Sequence, residues 1–227
     1  MKQWLDGLIH LRNTHTMILI GQYDSPFVRR VAVTLHHYHM PFTRNPLSVF
    51  ENAKKMQEIN PLIRVPALTL ESGETLIDSA AIIDCLDEMA GPARALTPAH
   101  GPQRRQVLQA VALAMGVSDK AVATFFERYF HGPKAISKDW EKRCLSQLNA
   151  ALVQLEKNCG TPWFIDSHMS QADVTIGCMI GHLKLRVPEV FPLNKYPKLH
   201  SLSLHCETRD EFVKARPGAN ETVPKRK

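Results

Sequence analysis

The chain has 227 residues, enough for one large domain or two small ones. Its 44% apolar and 22% charged residues are typical of a globular protein. The net charge is +6, but the cations are dispersed apart from a C-terminal PKRK run. This pattern is weak support for nucleic-acid binding and favours a solvated surface, while an anionic ligand remains open.

The five cysteines argue against a disulfide scaffold and against a zinc site. Their number is odd, they lie far apart, and no CxxC pair occurs, which favours a reducing compartment. They are Cys85, Cys144, Cys159, Cys178 and Cys206. No uninterrupted apolar run is long enough to cross a membrane.

The first sixteen residues, MKQWLDGLIHLRNTHT, do not form a convincing signal peptide. Asp6 and His10 interrupt the apolar positions, and no small-residue cleavage site follows. Residues 1–16 are therefore predicted to be an extension ahead of the folded part.

The first half of the chain alternates between strand and helix patterns. Phe27, Val31 and Leu35 at i, i+4 and i+8 predict a helix after a short buried strand. The predicted elements are strand 17–20, helix 26–39, strand 42–47, helix 50–59, hairpin strands 65–70 and 75–77, and helix 79–89. The order βαβ-α-ββ-α predicts a compact α/β unit over 17–90 with a parallel, right-handed first crossover.

The second half shows helical spacing without a strand pattern. Residues 91–102 are rich in Pro and Gly and are predicted to be a linker. Helices are predicted over 103–130, 139–158 and 171–185. An all-helical domain over 103–215 and a tail over 216–227 complete the predicted organisation.

Ser25 opens the first helix in the stretch YDSPFVRRVAV (residues 23–33). Ser is a preferred N-cap and Pro a preferred first helical residue, so local structure explains both without a function. A helix N-terminus also gathers free N–H groups and positive potential. The Ser25 hydroxyl is therefore a candidate donor to an anion, including a thiolate.

Two further motifs in this half permit both a structural and a functional interpretation. Val65-Pro66 opens a strand; an ordinary trans bond is the commoner case, but a cis bond would leave the Val65 backbone groups free. Ser79 is predicted to cap the helix after LID. In the functional alternative, the Ser79 hydroxyl and backbone N–H bind a ligand carboxylate, and the neighbouring Asp78 binds a ligand amine.

The stretch MSQADV (residues 169–174) predicts a capping box with a structural role. Ser170 is expected to cap the N–H of Asp173, whose carboxylate returns to the Ser170 N–H, and Met169 is expected to contact Val174.

The chain resembles the cytosolic glutathione S-transferase superfamily over about residues 17–215. The resemblance is carried by four motifs in this order: SPFVRRV, NPLIRVPAL, ETLIDSAAI and SQAD. The resemblance is to a bacterial Ser-type (theta-, nu- or zeta-like) member. It implies a thioredoxin-like N-terminal domain followed by an all-helical C-terminal domain.

The resemblance also implies a set of site residues and a co-substrate, glutathione, with no metal. Ser25 takes the position that meets the glutathione sulfur, and Tyr23 is the second choice. No Cys occurs in this stretch, which counts against thiol-disulfide chemistry. The same motifs imply the other glutathione-binding positions. The Val65 backbone, beside a cis Pro66, would pair with the cysteinyl backbone, Ser79 would bind the γ-glutamyl carboxylate, and Asp78 would bind the γ-glutamyl amine. Arg64 would either bind the other carboxylate or remain solvated.

The helical domain is expected to line the pocket for the electrophile. Apolar side chains at helical spacing are more often core than pocket, so these candidates rest on position alone. They are Met115, Phe125, Phe126, Tyr129 and Trp163.

The implied function is conjugation of the glutathione thiolate to small hydrophobic electrophiles, a detoxification reaction. A non-catalytic binding or regulatory relative on the same fold is an alternative, because fold does not decide function. A glutathione-dependent isomerase or dehalogenase is another. A cytoplasmic homodimer is expected, without nucleic-acid or membrane partners.

Overall fold

The computed structural model describes residues 16–221. The predicted extension, except for Thr16, and the last six residues of the predicted tail lie outside the described residues. The helices are α1 Pro26–His37, α2 Ala53–Ile59, α3 Ser79–Ala90, α4 Gly101–Phe130, α5 Lys138–Asn158, α6 Gln171–Arg186, α7 Pro197–Glu207 and α8 Asp210–Lys214. The strands are β1 Met17–Ile20, β2 Phe42–Asn45, β3 Ala67–Thr69 and β4 Thr75–Leu76.

The four strands form one mixed sheet in the order β2-β1-β3-β4. β1 runs parallel to β2, as the sequence predicts, and antiparallel to β3, which pairs antiparallel with β4. Successive β1 residues face opposite sides of the sheet. Leu19 joins the main core, whereas Ile20 packs with Ala67 and with Met56 of α2. The thioredoxin-like unit expected from the sequence is confirmed.

The helical region is built around α6, which packs against α4, α7 and α1. Most of its residues are buried, from Gln171 to Leu183, as expected for a helix enclosed on all sides. Because α6 contacts α1, it ties the helical region directly to the helix that Ser25 opens.

Several predicted boundaries were wrong. β2 ends at Asn45, α2 begins at Ala53, and α4 begins at Gly101 inside the predicted linker. The two short helices α7 and α8 and a 3-10 turn at Pro188–Val190 were not predicted, since weak amphipathic patterns gave no clear period there.

Of the helices within residues 16–221, α4 is long and apolar enough to cross a membrane by length and composition alone. Its most apolar stretch has a mean hydropathy of 1.2, and 39% of that stretch is buried. Core helices of soluble proteins pass the same test. The expectation from the sequence differed because it required an uninterrupted apolar run, whereas α4 carries charged residues.

The capping box at the start of α6 is present and extends beyond the helix end. The Asp173 carboxylate accepts hydrogen bonds from the Ser170 N–H and the Ser170 hydroxyl, both at 2.8 Å. Its other oxygen accepts from the Phe164 N–H at 2.6 Å. Asp173 therefore closes the helix N-terminus and anchors the loop before it.

Replacing Ser170 by alanine is expected to lower the free energy of unfolding by about 1 kcal/mol, the usual cost of losing an N-cap side chain. Glutathione affinity should be unchanged, because Ser170 lies outside the cleft described below. Urea unfolding and calorimetric titration measure the two quantities. Loss of affinity at full stability would contradict this structural role.

Candidate functional site

A cleft of about 130 Å³ lies between the β1–α1 turn, the loops before α2 and β3, and helices α4 and α6. One part of its wall is polar and another part is aromatic. Its lining residues are Gln22, Asp24, Ser25, Pro26, Phe27, Leu47, Val49, Phe50, Ile63, Arg64, Val65, Val122, Phe125, Phe126, His182 and Arg186. Of the predicted glutathione-site residues, the cleft brings together Ser25, Arg64 and Val65.

Ser25 caps α1 and also lines the cleft. Its oxygen accepts a hydrogen bond from the Val28 N–H at 3.4 Å, and its side chain is only partly buried. Accepting that bond uses a lone pair and leaves the hydroxyl proton for another acceptor. The structural and functional interpretations of Ser25 are therefore compatible in one side chain.

Val65 presents its backbone to the same cleft. The Val65–Pro66 peptide bond is cis, and Pro66 itself is buried. Neither the N–H nor the C=O of Val65 has a hydrogen-bond partner within the described residues. Both groups are therefore available to an extended peptide ligand.

Gly21 allows the β1–α1 turn to lie against Val65. Its φ is +126°, and a Cβ added there would lie 2.6 Å from Val28 Cγ2 and 2.9 Å from Val65 Cβ. Both the conformation and the space exclude a larger side chain. This close approach places the Ser25 turn beside the free Val65 backbone.

Tyr23, the second choice for the sulfur position, does not line this cleft. Its side chain is 2% exposed, and the Arg44 guanidinium lies 3.4 Å from its ring centroid. Burial raises the pKa of the Tyr23 phenol to about 12. The geometry therefore favours Ser25 over Tyr23.

The N-cap of α3 is Asp78, not Ser79 as predicted. The Asp78 carboxylate accepts from the Ala80 N–H at 3.0 Å, and Ser79 is the first helical residue. Asp78 competes well for the cap position because its oxygen reaches the N2 amide. Ser79 is 1% exposed, and neither residue lines the cleft.

Two consecutive arginines of α1 have opposite environments. Arg29 pairs with both carboxylate oxygens of Glu207 at 2.8 and 2.9 Å. Arg30 is 2% exposed and has no carboxylate within 4 Å among the described residues. It donates to Ser79 Oγ at 3.3 Å and Met115 Sδ at 3.0 Å, and its Nε is unpartnered there.

The Arg30 cation is consequently uncompensated beside the N-terminus of α3. Burial lowers the pKa of its guanidinium to about 10, opposed by the more distant Cys178, Asp78 and Asp87. An isolated buried charge is expensive unless a counter-ion meets it. Arg30, Ser79 and the helix end together form a favourable environment for an anionic group.

Arg64 connects the cleft with α4. Its guanidinium lies 3.7 Å from the Asp119 carboxylate, with both side chains more than half exposed. Burial and the neighbouring Asp78 raise the pKa of Asp119, while Arg64 lowers it. Asp119 therefore lies near both Arg64 and Asp78, and the sequence analysis did not single it out.

The aromatic part of the cleft wall contains two of the five predicted pocket residues. Phe125 and Phe126 line it, together with Phe50 from the loop before α2, which was not predicted. Phe50 lies 5.4 Å from Phe126, edge to face. The other three predicted residues do not line the cleft. Met115 contacts Arg30, and Trp163 packs on His205. Tyr129 packs on Phe50 and Phe125.

The polar part of the cleft wall includes three residues that the sequence analysis missed, Asp24, His182 and Arg186. His182 Nδ1 donates to the Asp24 carbonyl oxygen at 2.9 Å, and Arg186 Nη2 donates to the Asp24 carboxylate at 2.5 Å. Burial, the largest effect, raises the pKa of Asp24, and Arg186 opposes it. No spacing in the sequence links these residues, because α6 lies about 160 positions after the turn.

No group of three or more His, Cys, Asp or Glu side chains suited to a metal ion occurs within residues 16–221. The cysteines in this range are unpaired, and none lines the cleft.

Comparisons with known proteins agree with this arrangement. The model of the family described as glutathione S-transferase, N-terminal domain, matches residues 19–94. The uncharacterized GST-like protein YibF of Escherichia coli is 26% identical over 88% of this chain and 98% of its own. A maleylacetoacetate isomerase of Pseudomonas aeruginosa is 24% identical over 92% of this chain and 99% of its own.

A solved structure shares the whole architecture. The glutathione S-transferase of Methylobacterium radiotolerans, in complex with glutathione sulfonate, has a TM-score of 0.85. It is 26% identical, and the alignment covers 93% of this chain and 99% of that one. With the sheet order, the helical region and the Ser25 cleft, these similarities lead to one conclusion: residues 19–94 match the glutathione S-transferase N-terminal domain, and the chain as a whole is similar to glutathione S-transferases.

Proposed function

We propose that the protein is a glutathione transferase in which the Ser25 hydroxyl donates a hydrogen bond to the thiolate of bound glutathione. The observation that carries the proposal is the position of Ser25, at the N-terminus of α1 and on the wall of the cleft. Its oxygen accepts from the Val28 N–H, which leaves the hydroxyl proton for the ligand.

The remaining groups fit the rest of the tripeptide. The free N–H and C=O of Val65 pair with the backbone of the cysteinyl residue in a short ladder. Although they do not line the cleft, Ser79 and the α3 N-terminus are proposed to receive the γ-glutamyl carboxylate, with the buried Arg30 guanidinium as a further donor. Asp78 is proposed to receive the amine. Arg64, which lines the cleft, is proposed to receive the second carboxylate of glutathione.

The hydrogen bond from Ser25 raises the fraction of bound glutathione whose thiol is ionised. An unperturbed thiol has a pKa of about 8.5, so only about 3% is ionised at pH 7. A charge-assisted bond with the helix N-terminus supplies roughly 1.5–3 kcal/mol, which lowers the pKa by about one to two units. About a quarter to three quarters of the bound thiol is then ionised at pH 7. The aromatic part of the cleft wall, with Phe50, Phe125 and Phe126, holds an apolar electrophile beside this thiolate.

A glutathione-dependent isomerase is the second candidate, favoured by the similarity to a maleylacetoacetate isomerase. The same Ser25 and Val65 groups would serve it. The stretch Tyr23-Asp24-Ser25 departs from the Ser-Ser-Cys pattern of the zeta-type isomerases, and for this reason the transferase stands first.

The test is calorimetric titration of the purified protein with glutathione, followed by glutathione consumption with an aryl-halide electrophile. Binding and consumption together support a transferase. Binding without consumption would turn attention to isomerase substrates or to a non-catalytic binding protein. Absence of binding would refute every glutathione-dependent function.

Replacing Arg30 by methionine is expected to weaken glutathione binding about tenfold or more. The ligand carboxylate would lose a charged donor, worth about 1.5–3 kcal/mol. Stability should be kept or raised, because a similar-sized apolar side chain removes an uncompensated buried charge. Calorimetry and urea unfolding measure these effects. Unchanged affinity in the folded variant would show that Arg30 does not serve the carboxylate.

We also propose, from the resemblance, a cytoplasmic homodimer without nucleic-acid or membrane partners. Light scattering of the purified chain measures its oligomeric state.

A further inference from the structure

The Asp24–Ser25 peptide group is held at both of its polar atoms. His182 of α6 donates from Nδ1 to the Asp24 carbonyl oxygen at 2.9 Å. On the other side of the same peptide, the Ser25 N–H donates to the Gln22 carbonyl oxygen at 3.2 Å. Because a peptide unit is planar, fixing its oxygen and its N–H fixes the orientation in which the Ser25 Cα leaves it.

The same turn of α6 holds the side chain of residue 24. Arg186 lies four positions after His182 and therefore on the same helix face. Its Nη2 donates to the Asp24 carboxylate at 2.5 Å, and its guanidinium lies 5.0 Å from the Phe125 ring centroid. Residue 24 is thus held through its carbonyl and its carboxylate by one face of one helix.

The bond from His182 has a defined direction. A carbonyl oxygen only accepts, so the proton lies on Nδ1 and the ring is neutral when Nε2 is bare. Nε2 is buried and has no partner among the residues that the structure describes. Burial, the largest effect, lowers the pKa of His182 to about 4, so the ring holds this single form near neutral pH.

We propose that His182 is a positioning residue for the reaction: through the Asp24 carbonyl, α6 sets the direction of the Ser25 hydroxyl toward the glutathione sulfur. This inference rests on the proposed function. It assigns a catalytic contribution to the helical domain, which otherwise only lines the pocket for the electrophile. Arg186 supports the positioning role of His182 by holding the Asp24 side chain.

The experiment compares amide replacements of His182 by the ultraviolet absorbance of the thiolate of bound glutathione as the pH is raised. In His182→Asn the amide N–H stands near the position of Nδ1, whereas in His182→Gln it stands near that of Nε2. The asparagine variant should keep the midpoint of the wild type. The glutamine variant and His182→Phe should each raise this midpoint by about one pKa unit and lower the rate at pH 7 about three- to eightfold.

The KM for glutathione should change less than kcat, because the tripeptide contacts at Val65 and Ser79 remain in place. His205→Phe is the matched control: it makes the same substitution in a ring that packs on Trp163, 4.4 Å between centroids, away from the cleft. Its thiol midpoint should equal that of the wild type.

Equal thiol midpoints in the folded asparagine and glutamine variants and the wild type would overturn the role of His182 while leaving the proposed function intact. If the wild type binds no glutathione, or binds it with an unperturbed thiol, the proposed function and this inference both fail. Since asparagine and glutamine are both polar, the comparison does not depend on the folding of His182→Phe.

Discussion

Alanine at position 25 is expected to lower the rate of glutathione conjugation about tenfold or more at pH 7. The substitution removes the hydroxyl donor and leaves only the backbone N–H groups of the α1 N-terminus near the thiolate. If the pKa of the bound thiol rises by about one to two units, the ionised fraction falls from a quarter or more to about 3%. Initial rates at saturating glutathione and aryl halide measure the effect.

Two companion variants make this result specific to the hydroxyl. Ser25→Thr keeps a hydroxyl at the N-cap and should retain most of the rate, whereas Tyr23→Phe removes a hydroxyl outside the cleft and should not change it. The cap itself is worth about 1 kcal/mol, so Ser25→Ala should remain folded. A rate loss in Tyr23→Phe with none in Ser25→Ala would transfer the role to Tyr23.

Alanine at position 173 is expected to produce the largest loss of stability, about 2–6 kcal/mol. The carboxylate is fully buried and accepts three hydrogen bonds. Its removal leaves the Phe164 and Ser170 N–H groups without partners, and each buried unpaired group costs about 1–3 kcal/mol. The loss should exceed that of Ser170→Ala. Urea unfolding followed by circular dichroism measures it.

Asp84→Ala is the matched control, because Asp84 is exposed on α3. It should change the free energy of unfolding by less than about 0.5 kcal/mol, as surface substitutions usually do. Asp173→Asn keeps one acceptor oxygen and should fall between wild type and alanine. A loss below about 1 kcal/mol in Asp173→Ala would mean that the loop and the helix end find other partners.

The sequence predicted the elements whose determinants are local. The α1 N-terminus at Ser25-Pro26 and the box at Ser170 and Asp173 depend on side chains within three positions of each other, so their motifs suffice. The parallel β1–β2 pair follows from a strand-helix-strand order and the right-handed crossover rule. The N-cap at Asp78 was assigned one residue late because Asp and Ser are both good caps.

The polar wall of the cleft could not be predicted, because its contacts join distant parts of the chain. His182 and Arg186 meet Asp24 across 158 and 162 positions. Arg29 and Arg30 are adjacent and identical in type, yet one is paired with Glu207 and the other is buried without a carboxylate. Such differences depend on the packing of α1 against α6, α8 and α3, which no local pattern records.

By donating a hydrogen bond to the thiolate, Ser25 is expected to lower the pKa of the thiol of bound glutathione. The most direct test is the thiolate absorbance of the glutathione complex as a function of pH, for wild type and Ser25→Ala side by side. We expect a wild-type midpoint of about 6.5–7.5 and a midpoint at least about one unit higher in the variant. Equal midpoints in the two complexes would contradict it and leave Ser25 as a helix cap alone.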